Sequence, residues 1–392
     1  MRKTKLEIYH FWTSYEQSPI DMFLDKFEKN FSIRVQRNAL EYGFYLITTK
    51  AKMVKGEPPD IMVCDIGEKM SEHVKAGELS DISHIWKEEG FSGVFSDWLE
   101  KASSLNGKFY GVPSKCFTFA VWYLPNVFQK YKVEPPETWE EFLYLCEKFK
   151  RAGIPPLASS WWEVSLWFEN ILARVVGPRF YYRLMKGEES WTDPKVIDAY
   201  EIFRELRKYF LPSPFSYSDR DSWMKLNNHE VAMQLQGDWV NEIWRRGYKY
   251  HPGKDFDYFL IPPLDKKIGQ VVVVGGNLWV MPALAKHPAE AMTFLRYAGS
   301  KEAQRTLAEG GVGIVGRTDI PDECYDPISL KLIKDLRENE IVPRMESLLP
   351  PQVASVERLQ QMQIFLHPKL SRRGIRKLVS EVQILAQKVN GE

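Results

Sequence analysis

The chain has almost no net charge. Its 53 Lys and Arg balance 52 Asp and Glu, and no basic run is long enough to form a patch, so nothing in it draws a polyanion and nucleic-acid binding is disfavoured. Cysteine is scarce. Cys64, Cys116, Cys146 and Cys324 are the only four, far apart and with no C-x-x-C. Cys64 and Cys146 lie in apolar strand and helix patterns, the ordinary setting of a small buried thiol, so no disulfide framework is indicated. Long apolar runs are absent as well. The longest, Val271 to Ala285, is interrupted by Gly275, Gly276 and Asn277 and is shorter than the roughly 20 residues a spanning helix needs. None of the seven histidines forms H-x-x-x-H or sits near a cysteine pair, so metal ligation has no support, and no cofactor is expected. No G-x-S-x-G, internal repeat or low-complexity tract is present.

Aromatic residues are plentiful. They make up 14% of the chain, with 13 Trp, more than a core of this size usually needs, and an exposed indole face is costly unless something binds it. A length of 392 residues favours two lobes over a single core. LEIYHFW (Leu6 to Trp12) reads as a buried strand. A helix follows with Ser18 as cap, Pro19 in its first turn, and Ile20, Phe23, Leu24 and Phe27 inward. SIRV, a helix over Leu46 to Val54, the turn GEPPD and the strand IMVC continue the alternation, which predicts a parallel α/β sheet. In such sheets ligands gather beyond the carboxyl ends of strands, where Trp12 and Asp65 stand.

Thr138 and Glu141 form a T-x-x-E capping box for a helix whose stripe is Phe142, Leu145, Cys146 and Phe149, and which Gly153 and Pro155 end. Further on, a helix over Asp193 to Phe210 with Thr192 as cap is expected, then HEVAMQLQGDWV as a strand running into a turn and helix. VVVVGGNLWVM, one helix over HPAEAMTFLRYAGSKEAQRTLAEG, and a last helix near Ile375 to Val389 complete the chain.

Taken in order, FW in the first strand, PPDIMVCD, GKFYGVP, VWYLPNVFQKYKVEPPETWEEF with GIPPLA, EVAMQLQGDWV and GGNLWVMPALAKHPAEAMTFLRYAGSKEAQ resemble the extracellular solute-binding proteins of ABC importers, the large family that includes the maltose-binding protein. The resemblance spans most of the chain. It implies a two-lobed α/β periplasmic-binding-protein fold of type II, with a ligand cleft between lobes and three hinge crossings, expected near Tyr110 to Pro113, Val274 to Asn277 and Gly313 to Gly316. The N-terminal lobe would hold residues 1–111 and 277–313, and the C-terminal lobe 112–276 and 314–392. The implied function is reversible sugar binding and delivery to ABC permease subunits in the membrane, by a monomer, without turnover. Export is implied too, in the periplasm or lipid-anchored at the cell surface. MRKTK enters LEIYHFW at once, so a leader is expected to have been lost from this sequence.

The resemblance also suggests site residues. Trp239, in GDWV, matches a position whose indole stacks on a sugar; its rival role is core packing. Trp12 has similar placement and the same rival. Asp65 suits a donor-rich polyol, being an acceptor only when ionised, but a solvated turn aspartate is the plainer reading. Trp161 and Trp162 follow the capped helix where ligand contacts are common, whereas Trp167, one turn later, suits a buried face. Tyr42, Lys115 and Asn277 complete the candidate set. GVGIVG (Gly311 to Gly316) satisfies G-x-G-x-x-G, but a helix precedes it and no helix opens from it, so a glycine-rich hinge is expected rather than a dinucleotide fingerprint. The alternatives are a glycoside hydrolase, since an aromatic cleft with carboxylates describes that chemistry too, a binding protein for a non-sugar polar solute, and a non-enzymatic scaffold. Adjacent pairs such as Glu140 and Glu141 or Glu188 and Glu189 are poor acid–base partners, because neighbours on a helix point to different sides.

Overall fold

A computed structural model describes residues 5–13 and 17–391. The chain divides into two compact units, the first made of Met1–Phe117, Trp239–Lys249 and Gly275–Leu330, the second of Thr118–Asp238, Tyr250–Val274 and Lys331–Glu392.

The first unit begins with the alternation its sequence predicts: β1 (Lys5–His10), α1 (Gln17–Phe31), β2 (Arg34–Ala39), α2 (Tyr42–Val54), β3 (Ile61–Asp65) and α3 (Glu68–Lys75). β1 lies between β2 and β3, parallel to β2 from Lys5 opposite Arg34 to His10 opposite Ala39, and parallel to β3 through Ile8 and Ile61. The strand Val271–Val280 adds its second half antiparallel to β3, which sets Asn277 opposite Asp65. Helix α1 turns Ile20, Phe23, Leu24 and Phe27 inward as its spacing requires. Phe23 stacks on Trp279 with ring centroids 5.9 Å apart and on Tyr297 at 5.1 Å, so one aromatic cluster joins the sheet to two helices.

Several local expectations are corrected. Ser18, expected as a cap, lies inside α1. The long helix after His287 is two helices, Pro288–Gly299 and Lys301–Gly310, because Ser300 leaves helical geometry and its hydroxyl accepts the Ala303 N–H at 3.2 Å, capping the second. Gly299 precedes the break, and any Cβ there would come within 2.2 Å of the Phe91 ring. The segment Gly313 to Gly316, expected as a passage between lobes, stays in the first unit. Ile314 and Val315 pair with Cys116 and Lys115, while Val312, Val315, Ile320 and Cys324 are buried in that unit's core. The chain changes units after Phe117, around Trp239–Lys249, after Val274, within the crossing expected near Val274 to Asn277, and after Leu330. Gly311, with φ +81°, ends the preceding helix in the left-handed conformation that glycine tolerates.

In the second unit the Thr138 box forms as read: the Glu141 N–H donates to Thr138 Oγ1 at 3.2 Å, and the Thr138 N–H donates to Glu141 Oε2 at 3.2 Å. Helix Trp139–Arg151 buries Phe142, Leu145, Cys146 and Phe149. The cap of the next predicted helix moves by one residue. Asp193, not Thr192, accepts the Lys195 N–H at 2.8 Å, ahead of Pro194–Leu206. Helix Glu163–Val176 is buried around most of its circumference, and Phe168 stacks on Tyr200 at 4.0 Å. Its Arg174 is buried and makes four hydrogen bonds, donating to the carbonyls of Ile261, Asn170 and Val271 and to Asn170 Oδ1, and burial pushes its pKa down to about 9. All four cysteines are buried as thiols. Among the described residues no helix is long and apolar enough to cross a membrane.

Candidate functional site

Three of the residues singled out from sequence meet in the first unit. Asp65 is the last residue of β3, Tyr42 the first of α2, and Asn277 lies opposite Asp65 in the neighbouring strand. The Tyr42 hydroxyl donates to Asp65 Oδ2 at 2.6 Å, and the Asn277 amide donates to Asp65 Oδ1 at 2.8 Å. Lys69, in the first turn of α3 and four residues after Asp65, completes the cluster. Its ammonium lies 2.8 Å from Asp65 Oδ2 and 2.7 Å from the Tyr42 hydroxyl. The strand register explains why Asn277 reaches Asp65, and the tight β3–α3 connection explains why Lys69 does.

The cluster lies beside a cavity of about 310 Å³ whose walls include Phe11, Tyr42, Leu46, Met62, Asp65 and Lys69. Phe11 meets the Tyr42 ring edge-on at 5.0 Å. Burial, then the Asp65 charge, pushes the Tyr42 hydroxyl above its usual range, so it stays protonated and can donate. Burial pulls the Lys69 ammonium down, but Asp65 and Tyr42 more than offset that, and its pKa is raised. At neutral pH the cluster is therefore a carboxylate acceptor held by an ammonium, a phenol and an amide. Together these present acceptor and donor functions beside an aromatic wall, which matches a polyhydroxylated ligand with an apolar face.

The other candidates lie apart from this cluster. Trp12 is only 2% exposed and packs edge-on to Trp279 at 5.2 Å in the first unit's core, the plainer of its two expected roles. Phe11, one residue earlier, is the side chain at the cavity, since consecutive residues leaving a strand face opposite ways. Lys115 is buried on the strand Gly111–Tyr123, opposite Val315. Trp239 is half-buried at the start of the short helix Trp239–Glu242 and lies edge-on to Phe117 at 5.6 Å. The Phe117 ring in turn covers Gly275, where a Cβ would come within 2.2 Å of it.

In the second unit Trp161 is 46% exposed and Trp162 is half-buried. The Arg358 guanidinium lies 5.8 Å from the Trp161 ring centroid, and that of Arg344 lies 5.9 Å from Trp162. The Trp162 indole N–H donates to Asp219 Oδ1. Sequence reading missed Phe11, Lys69 and Asp219. Only Lys69 left a signal, its i,i+4 spacing from Asp65.

Residues 13–305 match the model of the bacterial extracellular solute-binding protein family. An uncharacterized ABC transporter extracellular-binding protein of Pyrococcus horikoshii is 30% identical over 348 residues, which cover 86% of this chain and 77% of that relative. A probable sugar-binding periplasmic protein of Rhizobium meliloti is 26% identical over 347 residues, 85% of this chain and 81% of the relative. Among solved structures, the bacterial solute receptor AcbH, described as exclusive for β-D-galactopyranose, matches with a TM-score of 0.88 at 21% identity over 99% of both chains. A chitin oligosaccharide binding protein matches with a TM-score of 0.87 at 20% identity over 100% of both. The fold is thus the α/β fold of the type II solute-binding proteins, and with a family match over most of its length the chain belongs to the bacterial extracellular solute-binding protein family.

Proposed function

We propose that this protein binds a sugar reversibly, without turnover, and delivers it outside the cytoplasm to the membrane subunits of an ABC importer, acting as a monomer. The observation that carries the reading is the Asp65, Tyr42, Lys69 and Asn277 cluster beside its aromatic-walled cavity. A sugar needs both kinds of surface at once: acceptors and donors for hydroxyls that otherwise bond water, and a ring against which its C–H face is removed from water. The names of the relatives point the same way. Trp239 and Trp161 are the further aromatic faces we assign to ligand; Trp12 and Lys115 are not among them, being buried.

Thermal unfolding with D-galactose, raffinose and a chitin oligosaccharide, each in excess, tests the reading. A ligand present at 100 times its Kd stabilises the folded state by about 2.7 kcal/mol. At least one sugar is expected to raise the melting temperature of the wild type, to do so far less in Asp65→Ala, and to be recovered intact. Stabilisation by non-sugar polar solutes alone overturns the sugar, and cleavage of a bound glycoside overturns the absence of turnover.

A further inference from the structure

The second unit holds a carboxylate that its own fold engages on one side. Helix Glu163–Val176 opens with Glu163, whose side chain is wholly buried and accepts the Ser160 N–H at 2.8 Å, the Ser222 hydroxyl at 2.9 Å and the amides of Gln234 and Gln236. These bonds fix the turn that carries Ser160, Trp161 and Trp162. A second carboxylate, Asp219, holds the same turn from helix Asp219–Asn227: its Oδ1 accepts both the Ser160 hydroxyl, at 2.6 Å, and the Trp162 indole N–H. That helix is itself anchored by a capping box between Ser218 and Asp221. Asp219 Oδ2 has no hydrogen-bond partner among the described residues, and Asp219 is an exposed residue. Next to it in the turn stands Trp161, 46% exposed.

A carboxylate oxygen oriented by two donors on its twin has little freedom left to lose when it accepts another bond, which favours a ligand hydroxyl there. An indole on an anchored turn is similarly prepared. We propose that Asp219 is a ligand-binding carboxylate of the second unit, accepting a sugar hydroxyl on Oδ2 while its Oδ1 positions the turn that presents Trp161 as a stacking face. The proposal rests on the sugar-binding reading. It selects neutral, hydroxyl-rich ligands, because an anionic substituent would meet the Asp219 charge.

The test uses the full chain and calorimetric titration with whichever of D-galactose, raffinose and the chitin oligosaccharide binds the wild type most tightly. Asp219→Asn keeps a carbonyl oxygen for Ser160 and Trp162 but turns the outer acceptor into a donor. It is expected to weaken binding at least tenfold, with unchanged apo melting temperature and an unchanged Trp162 indole N–H resonance, assigned through Trp162→Phe. Asp219→Ala is expected to weaken binding further and to shift that resonance. Binding by Asp219→Asn within twofold of wild type overturns the proposal and leaves the sugar reading standing. Binding of none of the three sugars to the wild type removes both.

Discussion

The two candidate sites, one in each unit, place tryptophan and charge in opposite ways. In the first, Trp12 and Trp279 are buried together in the core, and the polar groups Asp65, Tyr42 and Lys69 stand beside an open cavity. In the second, Glu163 is wholly buried among amide and hydroxyl donors, and Trp161 is outside. A sugar needs both an aromatic face and hydroxyl partners, and burying one kind of group is what holds the other in place. Buried aromatic packing keeps the strand ends rigid under a polar cluster; a buried carboxylate keeps a turn rigid under an exposed ring.

The sharpest way to break this contrast is to truncate one tryptophan of each kind. Trp12→Ala should destabilise the protein by about 3–5 kcal/mol, the usual cost of emptying a large core site. Trp161→Ala should change stability by no more than about 0.5 kcal/mol, as for a surface substitution, while weakening sugar binding. Denaturant melts of both variants check it, and equal losses would erase the distinction. Next in size is Glu163→Ala. Leaving buried donors without an acceptor costs about 1–3 kcal/mol for each that finds no other partner, so a loss of about 3 kcal/mol or more is expected. Asp65→Ala should cost less, about 1–3 kcal/mol in urea melts, because Tyr42 and Lys69 reach solvent and only the Asn277 amide is left buried without its acceptor.

The units should also respond oppositely to pH. Burial raises the Glu163 carboxyl to about 8, from a usual value of 4.5, and raises Glu357 likewise to about 8. A carboxyl whose pKa is higher folded than unfolded stabilises the fold fully below pH 4.5, and that stability is lost as pH rises through about 8. In the first unit, burial lowers His10 to about 4 from 6.5, with a partial opposing pull from Asp21. A histidine that resists protonation contributes stability above pH 6.5 that is lost as pH falls through about 4. Hydrogen exchange across this range should therefore loosen second-unit amides toward alkaline pH and first-unit amides toward acid. Glu163→Gln should shallow the alkaline limb, Glu357 keeping its share, and His10→Phe should shallow the acid one. The smallest effect expected is that of Tyr42→Phe. Deleting a hydroxyl that bonds Asp65 and Lys69 at a partly exposed site should cost about 1 kcal/mol or less in stability, and should weaken sugar binding a few-fold in calorimetric titration.

Much of this was present in local sequence. The capping box at Thr138, the inward stripe of α1, the β-α alternation through Asp65 and the end of the helix at Gly311 each depend on residues within one or two turns, so neighbours in sequence suffice to specify them. The placing of Asp65 at a strand end followed from the same alternation. What local pattern could not decide was the environment of each ring and charge. Trp12 and Trp239 look alike in sequence, each next to an apolar run, yet one is closed over by Trp279 from a strand more than 260 residues away and the other is half-buried on a short helix. Asp219 gave no sign of itself because its partners, Ser160 and Trp162, are brought to it only when two helices of the second unit pack. The alternation of elements and the helix ends are set by short-range sterics and hydrogen bonds, which the sequence by itself determines. Which aromatic becomes core and which carboxylate is left with an open oxygen depends on long-range burial, and only the tertiary structure decides it.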